Sequence, residues 1–284
     1  MLIKLAVTIA LLISVAVLLV GIVWVFQERI AFQPPRGPWP SGEETQRVEY
    51  SASDGQRLFA YVIGNPRSAP VLLLAFHGNA DLAVRQVPWA REINRRTSVA
   101  VMLAEYRGYA GLSGRPGYEE SILDAQAAYR HAVHYLGAEP QTIAFFGHSM
   151  GSAVATELAR LNTPSALILQ SPFTSARDMA TRMTGLASPP VLWRAISRLH
   201  FDAVSTVSTI DAPVFVAHGA DDRLIPSEMG KRVFEAAGIR GEWLLVDGAT
   251  HNDVSETGRD SYWSWIGRAL GVAAGDADRS PGRQ

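Results

Sequence analysis

The chain has 284 residues, 48% of them apolar, and a formal net charge of -1. That is long enough for one large α/β domain and short for two well-separated ones, and it offers no basic field to suggest nucleic acid. Cysteine is absent, which excludes disulfides, thiolate nucleophiles and cysteine-held metals.

Residues 5–26 carry no charged side chain. At about 1.5 Å per residue the run can cross the ~30 Å hydrocarbon core as a helix. Trp24 and Phe26 sit near one end, where an interfacial aromatic is favourable, and Gln27-Glu28-Arg29 closes the run. The rival reading is a cleaved signal peptide, but the apolar part is long for one and no small-x-small site follows it. A helix apolar on every face at a chain terminus does not suit a buried soluble helix. A transmembrane anchor is therefore expected over 1–27. Lys4 lies on one side and Arg29 and Arg36 on the other, so the side of the membrane is left open. Residues 28–45, proline-rich from 34 to 40, read as a stiff linker.

A globular domain is expected over 46–272. Gln46–Ser51 and Arg57–Ile63 read as two strands around a Ser53-Asp54-Gly55 turn. Residues 71–76 are wholly apolar, as expected of a central parallel strand covered on both faces. His77-Gly78-Asn79-Ala80 follows directly. A helix over 82–95, a strand over 99–104 and a glycine-rich loop over 106–116 come next. An amphipathic helix spans 119–135, with Ile122, Ala125, Ala128, Tyr129 and Val133 at helical spacing. Further strands are expected at 141–146, 166–170, 213–217 and 242–246, and closing helices at 150–161 and 255–270. Such alternation implies a largely parallel sheet with right-handed crossovers. Residues 172–211 interrupt it without a clear strand. An insertion there would sit above the C-terminal edge of the sheet, where ligands bind in open α/β folds. It reads as a helical lid over an apolar acyl pocket or as an excursion packed on its own Met and Trp side chains. The tail, 273–284, is small and polar and is expected to be disordered.

The chemistry centres on Gly147-His148-Ser149-Met150-Gly151, lying between an apolar strand and a helix. A strand, a glycine-flanked serine and a helix make a nucleophile elbow, whose sharp turn needs small neighbours two positions from the serine. A serine hydroxyl needs a histidine base, and the histidine needs a carboxylate to fix its tautomer. In this kind of fold the chain order is Ser, acid, His. Of the seven histidines, His77 and His148 belong to turn motifs upstream of Ser149. His131 and His134 lie on a surface helix, His200 follows the insertion, and His218 precedes the acid candidates. His251 stands in a short turn between the last strand and the last helix, on the same rim as the elbow, and is the expected general base. Asp221 and Asp222 follow the preceding strand; being adjacent they point differently, and only one is expected to reach the histidine. Asp211, ahead of that strand, reads as a turn residue. Oxyanion donors are expected from the backbone N–H of Met150, just after the nucleophile, and of Asn79, with His77 and Gly78 shaping the latter's loop.

At this point the chain resembles the α/β-hydrolase superfamily, and within it the Bem46-like branch of membrane-anchored serine hydrolases. The resemblance covers about residues 28–270. It rests on ERIAFQPP (28–35), FHGNA with Arg85 after it, EYRGYAGLSGRP (105–116), GHSMG (147–151), SPFTS (171–175), HGADDRLIP (218–226) and GATHND (248–253). It implies Asp222 as the acid, four positions after His218, and hydrolysis of acyl esters or thioesters, often lipid-linked, with no metal or organic cofactor. Ala110, Leu112 and Glu105 depart from the usual glycine-rich loop, a departure that touches the loop and not the triad. Two other functions use the same residues differently: a serine peptidase or amidase, and an anchored binding protein without catalysis. Dehalogenase chemistry is disfavoured because its elbow carries aspartate.

Overall fold

A computed structural model describes residues 1–42, 44–184, 193, 195–238 and 240–272. The expected disordered tail and part of the insertion, 185–192 and 194, lie outside the described residues.

Helix α1, Leu2–Ala31, is exposed along its apolar stretch and covered only near its end. The strands are β1 (Gln46–Ser51), β2 (Arg57–Ile63), β3 (Leu72–Phe76), β4 (Ala100–Ala104), β5 (Ile143–His148), β6 (Leu167–Gln170), β7 (Val214–Gly219) and β8 (Trp243–Val246). They form one eight-stranded sheet in the order β1-β2-β4-β3-β5-β6-β7-β8. β1 and β2 are antiparallel, β2 is antiparallel to β4, and every pair from β4 to β8 is parallel. The central strands are buried throughout, as their unbroken apolar sequences require when both faces are covered.

Because side chains alternate along a strand, the sheet carries two cores. Leu72, Leu74 and Phe76 face one way, against α3 (Tyr118–His134), α4 (Met150–Leu161), α6 (Ala203–Val207) and α7 (Ser227–Ala236). Leu73 and Ala75 face the other, against α2 (Val87–Thr97) and α8 (Val254–Ala269), which contribute Ile93, Tyr262 and Trp265. All the parallel strands end on one rim, and the loops leaving β3, β5, β7 and β8 meet there.

The strand expected at 141–146 sits two residues later, because Pro140–Thr142 forms a 3₁₀ turn ahead of it. In the insertion, α5 (Ala176–Thr184) has no buried residue, whereas Phe173 at one end and Phe201, Ala203 and Val207 at the other pack into the core. The excursion over the rim is therefore narrower than 172–211. Helix α7 is not among the helices expected from the sequence, although Met229, Val233 and Ala236 stand at helical spacing within it. It is nonetheless placed firmly, with Val233 in the core and Gly230 against His218.

Candidate active site

β5 delivers the chain to Ser149, whose backbone has φ 54° and ψ -117°, a strained conformation for a residue with a Cβ. The strain is held from both sides. The Ser149 N–H donates to the Gln170 carbonyl of β6 at 2.9 Å, and Ser149 O accepts from the Ser152 N–H at 3.0 Å and from the Ser152 hydroxyl at 2.5 Å. The flanking glycines are required by close approach. A Cβ on Gly147 would lie 2.1 Å from the Gly151 carbonyl oxygen, and one on Gly151 would lie 2.2 Å from the Phe76 carbonyl oxygen. These are backbone atoms that cannot swing aside. Gly147→Ala is expected to cost about 3 kcal/mol, seen as a fall of roughly 5–10 °C in the thermal midpoint. A variant melting with the parent would show that the elbow has room to spare.

Ser149, His251 and Asp222 are hydrogen-bonded in series. His251 Nε2 lies 2.9 Å from Ser149 Oγ, and His251 Nδ1 lies 2.6 Å from Asp222 Oδ2. All three are nearly enclosed, at 8%, 9% and 6% exposure respectively. With Nδ1–H donating to the carboxylate, the Nε2 lone pair is left to accept the serine proton. Asp221 is exposed while Asp222 is buried, so burial separates the two adjacent candidates. Asp222 Oδ1 accepts the N–H groups of Leu224 and Ile225 at 2.9 and 2.8 Å. Burial alone would raise the Asp222 pKa, but hydrogen bonds from His218, His251 and Ile225 hold it well below the usual carboxylate range. Asp211 is exposed at the opposite edge, paired with Arg240 at 2.5 Å.

Two histidines brace this series: His218, which in the sequence only precedes the acid candidates, and His148, which belongs to a turn motif. His218, fully buried, has Nε2 2.9 Å from the Ile225 carbonyl and 3.3 Å from Asp222 Oδ2. Its Nε2–H therefore points at two oxygens, and its Nδ1, without a hydrogen-bond partner among the described residues, is packed against Gly230. His148 Nε2 donates to the His251 carbonyl at 3.0 Å, and the two rings lie 5.1 Å apart. Burial first, then the neighbouring His251, lowers the His148 pKa to about 4. His148 thus stays neutral and positions the base without competing with it. Gly219 completes the arrangement: a Cβ there would lie 2.4 Å from the Ala249 carbonyl oxygen, so only glycine lets the acid loop touch the histidine loop.

The loop after β3 runs beside the serine, with the Cβ site of Gly78 only 3.3 Å from Ser149 Cβ. The N–H of Asn79 donates to no protein group among the described residues, and Met150 opens α4, where an N–H has no carbonyl partner within the helix. Both are therefore free to face an anion. The loop is locked by His77, whose Nδ1 lies 2.8 Å from the Gly78 carbonyl and whose Nε2 lies 2.7 Å from Glu105 Oε1. Burial would lower the His77 pKa, but the Glu105 carboxylate more than offsets it, so the pKa is raised. Glu105 also accepts the N–H groups of Ala83 and Tyr106. Its sequence signal was only its departure from the usual residue at that position. Among the remaining histidines, His131 stacks between Tyr50 and Tyr135, His200 packs edge-on against Tyr118, and His134 is exposed.

The comparisons with known proteins agree with this architecture. The family model described as "Serine aminopeptidase, S33" matches residues 67–202. The uncharacterized protein MT2364 of Mycobacterium tuberculosis (strain CDC 1551 / Oshkosh) is 32% identical over 256 residues, covering 86% of this chain and 87% of that protein. Human alpha/beta hydrolase domain-containing protein 17B is 28% identical over 228 residues, covering 79% of this chain and 76% of that one. Among solved structures, the Pyrococcus furiosus esterase Pf2001 superposes with a TM-score of 0.66 at 19% identity, covering 86% of this chain and 100% of that one, a likeness of fold. Sheet order, elbow and relatives point the same way: the chain belongs to the α/β-hydrolase superfamily.

Proposed function

We propose that the chain is a membrane-tethered serine hydrolase that cleaves carboxylic esters or thioesters of acyl or lipid-like groups through an acyl-enzyme on Ser149. The observation that carries the reading is the unbroken series from Ser149 through His251 to Asp222. Ser149 Oγ attacks the carbonyl carbon and its proton passes to His251 Nε2. Asp222 stabilises the resulting imidazolium. The oxyanion is held by the N–H groups of Met150 and Asn79. Collapse breaks the bond to the alcohol or thiol, which leaves with the proton from His251. Water, losing its proton to His251, then attacks the acyl carbon, and Ser149 leaves with that proton to release the acid.

The apolar helix at the chain start, long enough to span a bilayer, supports tethering. Helix α5 supports the lid: it presents an exposed Met183 and is clipped to the acid loop by Arg182, whose guanidinium donates to the carbonyls of Arg223 and Leu224. A second reading, an amidase using the same residues, is favoured by the description of the matched family model.

Hydrolysis across an acyl-length series of p-nitrophenyl esters and matching thioesters, set against aminoacyl amides, tests the proposal. Esters or thioesters are expected to exceed amides by at least about 100-fold in kcat/KM, with a preference for long acyl chains. Amides turned over faster than esters would replace this reading with the second one, and a short-chain optimum would remove the apolar pocket. A fluorophosphonate is expected to label Ser149 in the same preparation.

A further inference from the structure

The end of α1 does more than leave the membrane. Gln27, near its C-terminus, is 6% exposed, and its side chain donates to the Ile196 carbonyl at 3.1 Å and accepts from the Arg198 N–H at 2.7 Å. Glu28 pairs with Arg198 at 3.4 Å, and Phe32, just past the helix, is buried in the domain core at 4% exposure. The helix is thereby seated on the segment that crosses the rim.

Its last turn meets the oxyanion loop at one side chain. Asn79 Nδ2 donates to the Ala31 carbonyl at 2.5 Å, one of the terminal carbonyls a helix cannot satisfy internally. Asn79 Oδ1 accepts from the Gln33 N–H at 2.8 Å, from the Tyr109 hydroxyl at 2.8 Å and from the Ala80 N–H at 3.1 Å. One residue therefore clamps the helix end with its side chain while its backbone N–H, on the loop beside Ser149, donates to no group among the described residues.

We propose that the C-terminal turn of α1 is a working part of the oxyanion hole: the Asn79 side chain, clamped between Ala31, Gln33 and Tyr109, is a positioning group that sets the aim of the Asn79 N–H. Seating of the anchor and turnover at Ser149 are then coupled in one chain of contacts. The proposal rests on the reading of that N–H as an oxyanion donor. Its physical basis is that a donor displaced by a fraction of an ångström loses much of its differential hold on the transition state.

The test uses the full-length chain in detergent micelles with p-nitrophenyl acetate, a soluble ester that needs no membrane delivery. Asn79→Asp replaces the donor facing Ala31 O with an acceptor and is expected to lower kcat by about 10- to 100-fold, with KM changed less than about twofold. The rate of fluorophosphonate labelling should fall with kcat. Tyr109→Phe, which keeps the ring and removes one clamp, and Gln27→Ala, which contacts neither Asn79 nor Ser149, are expected to give a smaller loss of about 3- to 10-fold with the same split. Ile9→Ala, in the exposed apolar stretch, should leave the rate unchanged. If Asn79→Asp fails to fold, Tyr109→Phe and Gln27→Ala decide. Folded variants with parental kcat, or with losses confined to KM, overturn the inference while leaving ester hydrolysis intact. Absence of both turnover and labelling in the parent chain overturns the hydrolase reading and this inference with it.

Discussion

Ser149→Ala and His251→Ala are each expected to lower kcat/KM for an acyl ester by about 10⁴- to 10⁶-fold, and the double variant by little more than either alone. The two groups act as a unit. In the proposed mechanism Oγ forms the acyl-enzyme, and Nε2 at 2.9 Å takes the hydroxyl proton. Residual activity would come from binding and from the oxyanion donors, which neither change removes. Both variants should fold. The elbow is held by backbone and by Ser152, and the His251 carbonyl that His148 grips is retained by alanine. The decisive measurements are single-turnover rates with an activated ester and labelling by a fluorophosphonate. Near-parental hydrolysis by Ser149→Ala would mean that the nucleophile has been misplaced.

Asp222→Asn is expected to lower kcat by about 10⁴-fold and to lose the stability that the ionised carboxylate contributes above about pH 4. An amide at this position can still accept the N–H groups of Leu224 and Ile225, so the acid loop keeps its shape. Facing His251 it can present N–H instead of a carboxylate oxygen. The ring then carries its proton on Nε2 and offers Ser149 a donor in place of a base. The imidazolium formed during attack also loses its counter-charge. Because the Asp222 pKa in the folded chain lies below its ordinary value, its ionised form contributes stability that is fully present above about pH 4 and is lost only as pH falls through the lowered value. The parent is therefore expected to keep this contribution through mild acid. A rate for Asp222→Asn within tenfold of the parent would move the acid elsewhere, to the exposed Asp221 first.

Much of the fold was legible in the sequence because the signals are local. Unbroken apolar runs at β3 and β4 announce strands buried on both faces, and Ser53-Asp54-Gly55 announces the β1–β2 turn. The glycines around Ser149 announce a turn too tight for any side chain. The order elbow, acid loop, histidine loop follows from the alternation of strands and helices, which sends all three to one rim. Segments whose place depends on distant partners were not legible. Helix α7 packs with one residue in the core and a glycine against His218, and the insertion returns to the core at Phe201 sooner than its composition suggested.

The site divides in the same way. The sequence by itself singled out Ser149 and His251 as the proposed nucleophile and base and gave their chain order, since glycine spacing and a histidine after the last strand are properties of short segments. From the residues alone Asp221 and Asp222 were equivalent, and burial in the tertiary structure separates them. The tertiary structure also decided that His218 braces Asp222, that His148 holds the His251 loop from 103 residues away, that Glu105 locks His77 across 28, and that Asn79 reaches back 48 to the end of α1. Hydrogen bonds of this kind need a side chain and a distant side chain or carbonyl brought within about 3 Å at a fixed angle, and only the packed sheet and its rim fix that geometry. No spacing rule along the chain encodes it.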